Sequence, residues 1–260
     1  MKRPAGWGVC IPKQTIASST QVQQELDLLR PQSYMNWSSV PFGVETDAVF
    51  LPMLWDAGFS RNQLWESLTN DPGQIWLLWN EPERPEQANM TPLEAANLTC
   101  EFLSIAQTVD KEFQWAAPGV SVGWDDVDGL GWLTDYMTIL RRRRGIMRPA
   151  YWHIHSYRSP RKSSFTDGWS KWVEWYNVWG VGAPVILSEV CAEAASIEEQ
   201  KGMIDLTNIL LDTGSITAAL WFSTHASRVS NWVNAALTEM RTDGTVALTE
   251  LGRYWTDTRR

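Results

Sequence analysis

The stretch IWLLWNEP at residues 75–82 changes abruptly from apolar to polar. Its first five residues form a continuous apolar run, which is typical of a strand buried on both faces of a parallel sheet. An amide, a carboxyl group and a proline follow at once. The strand therefore ends on side chains that can take part in chemistry, and the rest of the chain can be compared with this pattern.

Seven more short apolar runs occur in the chain, and segments with helical periodicity separate many of them. In chain order the eight predicted strands are Trp7–Ile11, Ser33–Trp37, Val49–Leu54, Ile75–Trp79, Gln114–Pro118, Tyr151–Tyr157, Pro184–Glu189 and Ile216–Phe222. The predicted helices are Thr91–Phe113, Asp128–Arg144, Asp167–Trp179, Ser196–Thr213 and a closing helix at Thr249–Trp255. The crossover Ser38–Ala48 is too short and too rich in proline and glycine for a full helix, so we expect a turn there.

Eight strands with alternating crossovers fit either a closed barrel or a doubly wound open sheet. An open nucleotide-binding sheet would carry GxGxxG or GxxxxGK[ST] after a strand, and the sequence contains neither there. Repeats, low-complexity tracts and an interdomain linker are also absent from the sequence. The sequence therefore predicts an α/β fold, a (β/α)8 TIM barrel with a reduced second helix, as one catalytic domain over residues 1–260.

Composition limits the class of partner. The net charge is −8 with a pI near 5.0, which argues against nucleic acid, and no apolar run approaches the roughly 18 residues of a membrane span. Cys10, Cys100 and Cys191 form an odd set without CxxC spacing, so at most one disulfide is expected and its pairing stays open. We expect a monomer that is secreted after removal of a leader rather than cytoplasmic.

Tryptophan is the unusual component, with 17 residues in 260. An indole can stack on the C–H face of a sugar ring and donate one hydrogen bond, although most indoles in a barrel pack in its layers. Trp37 and Trp55 end the second and third strands, and Trp124 follows the fifth. We predict that these three are sugar platforms, with loop packing as the alternative.

Two glutamates stand at the ends of predicted strands, Glu81 on the fourth and Glu189 on the seventh. The active site of a (β/α)8 barrel lies at these ends, so the two carboxyl groups should face one cleft. Retaining hydrolysis of a glycosidic bond needs an acid and a nucleophile about 5–5.5 Å apart. We predict that Glu81 is the general acid/base, kept protonated by burial and by anionic Glu189, and that Glu189 is the nucleophile.

Other chemistries have weaker support. His153 and His155 share a strand face, but a metal site would need further ligands from a chain with three histidines, so we expect no metal and no cofactor. We expect His153 to pack in a barrel layer. A serine triad built on Ser188 or Ser223 with His225 would lack a GxSxG elbow.

The motif Asn80-Glu81-Pro82 resembles the "NEP" signature of clan A glycoside hydrolases, and Leu187-Ser188-Glu189 resembles their strand-seven nucleophile. Within that clan the chain is most similar to glycoside hydrolase family 128, proteins of the glycosyl hydrolase catalytic core type that act on β-1,3-glucans. The similarity spans nearly the whole chain. Further matches are Trp7-Gly8, SYMNW at 33–37, HIHSY at 153–157 and TELG at 249–252.

The resemblance implies roles for four more side chains. Asn80 would bind the hydroxyl next to the anomeric carbon, His155 and Tyr157 would orient the nucleophile, and Trp221 would form the floor of the cleaved subsite. The sequence SEVCA at 188–192 departs from the family pattern beside the nucleophile. A retaining endo-β-1,3-glucanase is thus expected. A clan A hydrolase of mannan, xylan or galactan and a catalytically weak carbohydrate-binding barrel remain as alternatives.

Overall fold

The computed structural model describes residues 4–12, 18–122, 128–143, 148–157, 163–180, 182–225 and 232–259. The strands within these ranges are β1 Gly6–Cys10, β2 Ser33–Met35, β3 Val49–Phe50, β4 Met53–Leu54, β5 Ile75–Leu78, β6 Gln114–Ala116, β7 Val120–Ser121, β8 Trp152–Ser156, β9 Val185–Val190, β10 Ala218–Phe222, β11 Thr238–Met240 and β12 Val246–Leu248. The helices are α1 Ser19–Leu29, α2 Arg61–Asn70, α3 Pro92–Val109, α4 Gly129–Arg141, α5 Ser163–Trp179, α6 Ile197–Asp212 and α7 Glu250–Thr258.

The strands β1 to β10 form a closed parallel ring. One run of pairs goes from β3 through β2, β1, β10, β9 and β8 to β7, and a second goes from β4 through β5 to β6. The two runs meet where β3 continues into β4 across Pro52, and where β6 continues into β7 across Pro118. Proline has no N–H to give to a ladder, which explains both interruptions. The predicted eight-position barrel is confirmed.

The helices cover the outside of the ring. Thr91 and Ser196 cap α3 and α6, and each makes a reciprocal capping box with the glutamate three residues later, which fixes where these helices begin. As predicted, the chain between β2 and β3 has no helix. Helix α2 was not predicted, because it buries only two leucines, Leu64 and Leu68, and so has little amphipathic signal.

Apolar side chains pack in two layers. A small inner cluster fills the barrel with residues such as Met35, Ile186 and Leu220, while a large outer cluster lies between strands and helices. Most of the largest fully buried side chains are indoles of the outer cluster, which agrees with the expectation that tryptophan mainly packs the layers. No helix in the described part of the chain is both long and apolar enough to cross a membrane.

Candidate active site

Glu81 lies three residues after the end of β5, in a turn whose backbone is strained. Its φ is 42° and that of Trp79 is 52°, in the left-handed region that bulky side chains avoid. Backbone hydrogen bonds hold the turn, since the N–H of Asn80 donates to Trp55 O at 2.9 Å and that of Glu81 to Gly119 O at 2.8 Å. The Glu81 side chain is buried, and this turn directs it into the ring.

Glu189 reaches the same face because β9 contains a bulge. Ile154 of β8 pairs with Leu187, but the next residue, His155, pairs with Glu189, so Ser188 is an extra residue. Both Ser188 and Glu189 consequently face inward, and the Ser188 hydroxyl lies 2.9 Å from His153 Nδ1. The bulge therefore aims the carboxyl group of Glu189 at the barrel mouth.

One imidazole ring lies between the two carboxylates. His155 Nδ1 is 2.9 Å from Glu81 Oε1, and its Nε2 is 3.4 Å from Glu189 Oε1. The separation of the two carboxylates therefore cannot exceed the width of one imidazole ring plus these two contact distances. Burial alone would lower the pKa of His155, but the charge of Glu189 and the hydrogen bond and charge of Glu81 raise it to about 9.

The carboxylate of Glu81 is held by polar donors. Its Oε1 accepts from the Ser121 hydroxyl at 2.5 Å and contacts His155, and its Oε2 lies 3.6 Å from Arg84 Nε. Burial would raise the pKa of Glu81, but the hydrogen bonds and charges of these partners lower it. The prediction that burial and Glu189 keep free Glu81 protonated is therefore wrong, because it omitted two donors from other strands, Ser121 and His155, and the charge of Arg84 in the following loop.

The carboxylate of Glu189 has aromatic donors instead. The Tyr157 hydroxyl donates to Oε2, and Trp37 Nε1 donates to Oε1 at 2.7 Å. Burial raises the pKa of Glu189 to about 7, with the positive charge of His155 acting against it and the negative charge of Glu81 adding to it. In the free protein the proton shared by the pair therefore resides preferentially on Glu189.

A cavity of about 840 Å³ opens at these strand ends. The aromatic residues that line it form what we call the aromatic wall: Trp37, Trp55, Tyr157, Phe222 and Trp232. Its polar lining includes Asn80, Arg84, Gln87, Glu189 and Glu193.

The predicted residues Trp37, Trp55, Asn80 and Tyr157 thus all face the cavity. Asn80 Nδ2 donates to Gln87 Oε1 at 3.1 Å, while its buried Oδ1 has no hydrogen-bond partner among the described residues. Trp124, also predicted as a platform, lies outside the described residues.

The prediction for Trp221 is wrong. Its side chain is 0% exposed, packs against Trp7 in the outer layer and donates from Nε1 to Ala235 O at 2.7 Å. Side chains alternate along a strand, so the next residue, Phe222, faces the cavity. Trp232 was missed because it lies in the chain after β10, where no strand pattern marks it.

His153 is an internal packing residue, as predicted. Its ring is buried between Ser188 and the Leu78 carbonyl, and burial lowers its pKa to about 3, so it is neutral. In the described part of the chain, no three His, Cys, Asp or Glu side chains are grouped to hold a metal ion. All three cysteines are free thiols.

Two buried carboxylates on either side of one imidazole, at the strand ends of a (β/α)8 barrel, are typical of the class of glycoside hydrolase barrels. Residues 16–255 match the family described as glycosyl hydrolase catalytic core, and the chain belongs to that family. It is a glycoside hydrolase. A search of curated proteins found no match.

Solved structures resemble the whole chain. An endo-β-1,3-glucanase of family 128 subgroup II from Sorangium cellulosum has a TM-score of 0.74 and 23% identity over 96% of this chain and 97% of that one. A subgroup I endo-β-1,3-glucanase from Amycolatopsis mediterranei, in complex with laminaritriose, has 0.73 and 21% over 97% and 99%. A subgroup III curdlan-specific exo-β-1,3-glucanase from Blastomyces gilchristii, in complex with glucose, has 0.71 and 18% over 98% and 99%. At these identities the likeness establishes the fold.

Proposed function

We propose that this chain is a retaining endo-β-1,3-glucanase in which Glu189 is the nucleophile and Glu81 is the general acid/base. The observation that carries the proposal is the placement of the two carboxylates on either side of His155, with Glu189 lining the cavity. In the first step Glu189 would attack the anomeric carbon while Glu81 protonates the leaving oxygen. In the second step Glu81 would deprotonate water, which releases the sugar from Glu189.

This division of roles requires the pair to carry one proton, on Glu81. The competent form has a protonated Glu81 and an anionic Glu189, whereas the free protein favours the reverse. Both forms carry one proton and differ only in which carboxyl group holds it. The pH dependence therefore belongs to the pair and not to either glutamate alone. Tyr157 and Trp37 donate to the two oxygens of Glu189 and so fix the orientation of that carboxyl group.

The cavity lining supports a neutral glucan as the substrate. The aromatic wall offers flat apolar surfaces to the C–H faces of pyranose rings. The unpartnered Oδ1 of Asn80 can accept a hydrogen bond from a sugar hydroxyl beside the cleaved bond. The β-1,3 linkage and the endo mode rest on the likeness to endo-β-1,3-glucanases from Sorangium cellulosum and Amycolatopsis mediterranei.

A proton NMR time course on laminarin tests the proposal, because it reports cleavage and anomeric outcome together. We expect the β-anomer to be released first and a series of oligosaccharides to appear early. Initial release of the α-anomer would exclude the double displacement. Parallel reactions with mannan, xylan and galactan are the controls, and a preference for any of them would overturn the linkage assignment.

A further inference from the structure

A second glutamate, Glu83, lies two residues after Glu81 and shares a partner with it. The backbone N–H of Ser121, at the end of β7, donates to Glu83 Oε1 at 2.7 Å. The hydroxyl of the same serine donates to Glu81 Oε1 at 2.5 Å. Ser121 therefore connects the two carboxyl groups, because its backbone N–H binds Glu83 and its hydroxyl binds Glu81.

The hydrogen bonds to Glu81 are unevenly divided between its oxygens. Oε1 receives both the Ser121 hydroxyl and His155 Nδ1, whereas the described contact of Oε2 is with Arg84 at 3.6 Å. A carboxylate oxygen has two lone pairs in the carboxyl plane, and two donors occupy both of them. A proton that binds to Glu81 must therefore bind to Oε2.

Glu83 adds a negative charge behind this arrangement. The N-terminus of α4 lies against it, since a Cβ built on Gly129 would be 3.2 Å from Glu83 Oε1, and a helix N-terminus favours an anion. Burial nevertheless raises the pKa of Glu83 to about 7, the Ser121 N–H acting against this and the charge of Glu81 adding to it. Glu83 therefore acquires its charge only near pH 7, close to a carboxyl group that must hold a proton.

Resting on the proposed function, we propose that Ser121 and Glu83 are positioning residues for Glu81: Ser121 confines the catalytic proton to Oε2, and the charge of Glu83 strengthens the hold of Glu81 on that proton. The two act in opposite directions on proton affinity. The Ser121 hydroxyl stabilises the anion of Glu81, and the Glu83 charge destabilises it.

The other charged groups around Glu81 are unchanged by substitutions at Ser121 and Glu83. His155 and Glu189 face it from β8 and β9, Arg84 faces it from its own loop, and exposed Glu86 pairs with Arg84. Asp128, before α4, uses its carboxylate to cap that helix through Gly131 N at 2.7 Å.

The test compares kcat/KM against pH for the whole protein and its variants on laminari-oligosaccharides. The basic limb reports loss of the one proton that Glu81 and Glu189 share, because no acid remains once that proton has left. Glu83→Gln keeps an acceptor for the Ser121 N–H but removes the charge, so the basic limb should move to lower pH by about half a unit or more. Ser121→Ala should move it to higher pH, and Ser121→Thr should restore the original position.

Glu66→Gln, an exposed glutamate on the outer face of α2, is the matched control and should leave the profile unchanged. Equal losses of activity at all pH values, or shifts of the same sign in Glu83→Gln and Ser121→Ala, would overturn the proposal. If the protein cleaves no glucan, the proposed function fails, but titration of the ¹³C-labelled Glu81 carboxyl by NMR, assigned with Glu81→Gln, still measures the same opposite shifts. Absence of those shifts would overturn the positioning role independently of turnover.

Discussion

The Glu81 side and the Glu189 side of the cleft each hold a buried carboxyl group, but with different backbone structures and different polar partners. Glu81 sits on a strained loop, and hydroxyl, imidazole and guanidinium groups surround it. Glu189 sits on a bulged strand, with a phenol and an indole bound to its oxygens. The difference teaches that the groups around Glu81 adjust its affinity for a proton, whereas the groups around Glu189 fix the orientation of its carboxyl group. Each prediction below acts on one of these sides.

The largest effect is expected from Glu189→Gln. The variant keeps the shape of the side chain but removes the nucleophile, so kcat on laminarin should fall by roughly 10⁴-fold or more. Calorimetric titration with laminarihexaose should give an affinity close to that of the unmodified protein. Turnover that survives the substitution would remove Glu189 from the mechanism.

Glu81→Ala should cost about 10²- to 10⁴-fold on substrates with poor leaving groups, because these need protonation. An activated aryl glycoside should lose much less in the first step. External azide, which can take the place of water without a general base, should restore activity and give a β-glycosyl azide. If azide has no effect and aryl and natural substrates lose activity equally, the acid/base assignment is contradicted.

Tyr157→Phe tests the phenol on the nucleophile side. The variant removes the donor to Glu189 Oε2, and a hydrogen bond to a charged group is worth roughly 1.5–3 kcal/mol, so kcat/KM should fall about 10- to 100-fold. The Glu189 pKa of about 7 should rise, since its anion loses a donor. Because Glu189 holds the last proton of the coupled pair, the basic limb of the pH profile should then move to higher pH. An unmoved limb would show that Tyr157 does not stabilise the anion.

The smallest effects on catalysis come from a pair of tryptophan variants. Trp37→Phe keeps an aromatic ring in the wall but removes the N–H to Glu189, and should lower kcat/KM about 10-fold with an unchanged melting temperature. Trp221→Phe should leave kcat/KM within about twofold, while the lost hydrogen bond and cavity lower the free energy of unfolding by about 2–3 kcal/mol. The reverse outcome in kinetics and thermal unfolding would contradict the placement of these two indoles.

The barrel and the placement of two carboxyl groups at its strand ends could be predicted because buried strands leave continuous apolar runs, and polar residues after such runs mark the strand ends. Glu81 and Glu189 were found in this way. The choice between Trp221 and Phe222 failed because both faces of a barrel strand are apolar, so the pattern does not tell which of two adjacent aromatic residues faces inward. Trp232 carries no local signal at all.

The protonation state could not be predicted for a different reason. The groups that lower the pKa of Glu81 come from positions 84, 121 and 155, and their effect depends on distances that the folded ring sets. Trp37 shows the same limit, since its sequence position indicated a stacking platform, whereas its N–H donates to the Glu189 carboxylate. Residue types at strand ends indicate the chemistry, but contacts between strands decide where the proton resides.

Covalent trapping tests the account most directly. A 2-deoxy-2-fluoro laminaribiosyl donor with a dinitrophenyl leaving group should inactivate the protein while the second step is blocked, and mass spectrometry of its peptides should locate one added disaccharide on Glu189. Glu81→Gln should still be labelled, because this leaving group needs no proton. A label on any other residue, or inverted hydrolysis without a label, would contradict the account.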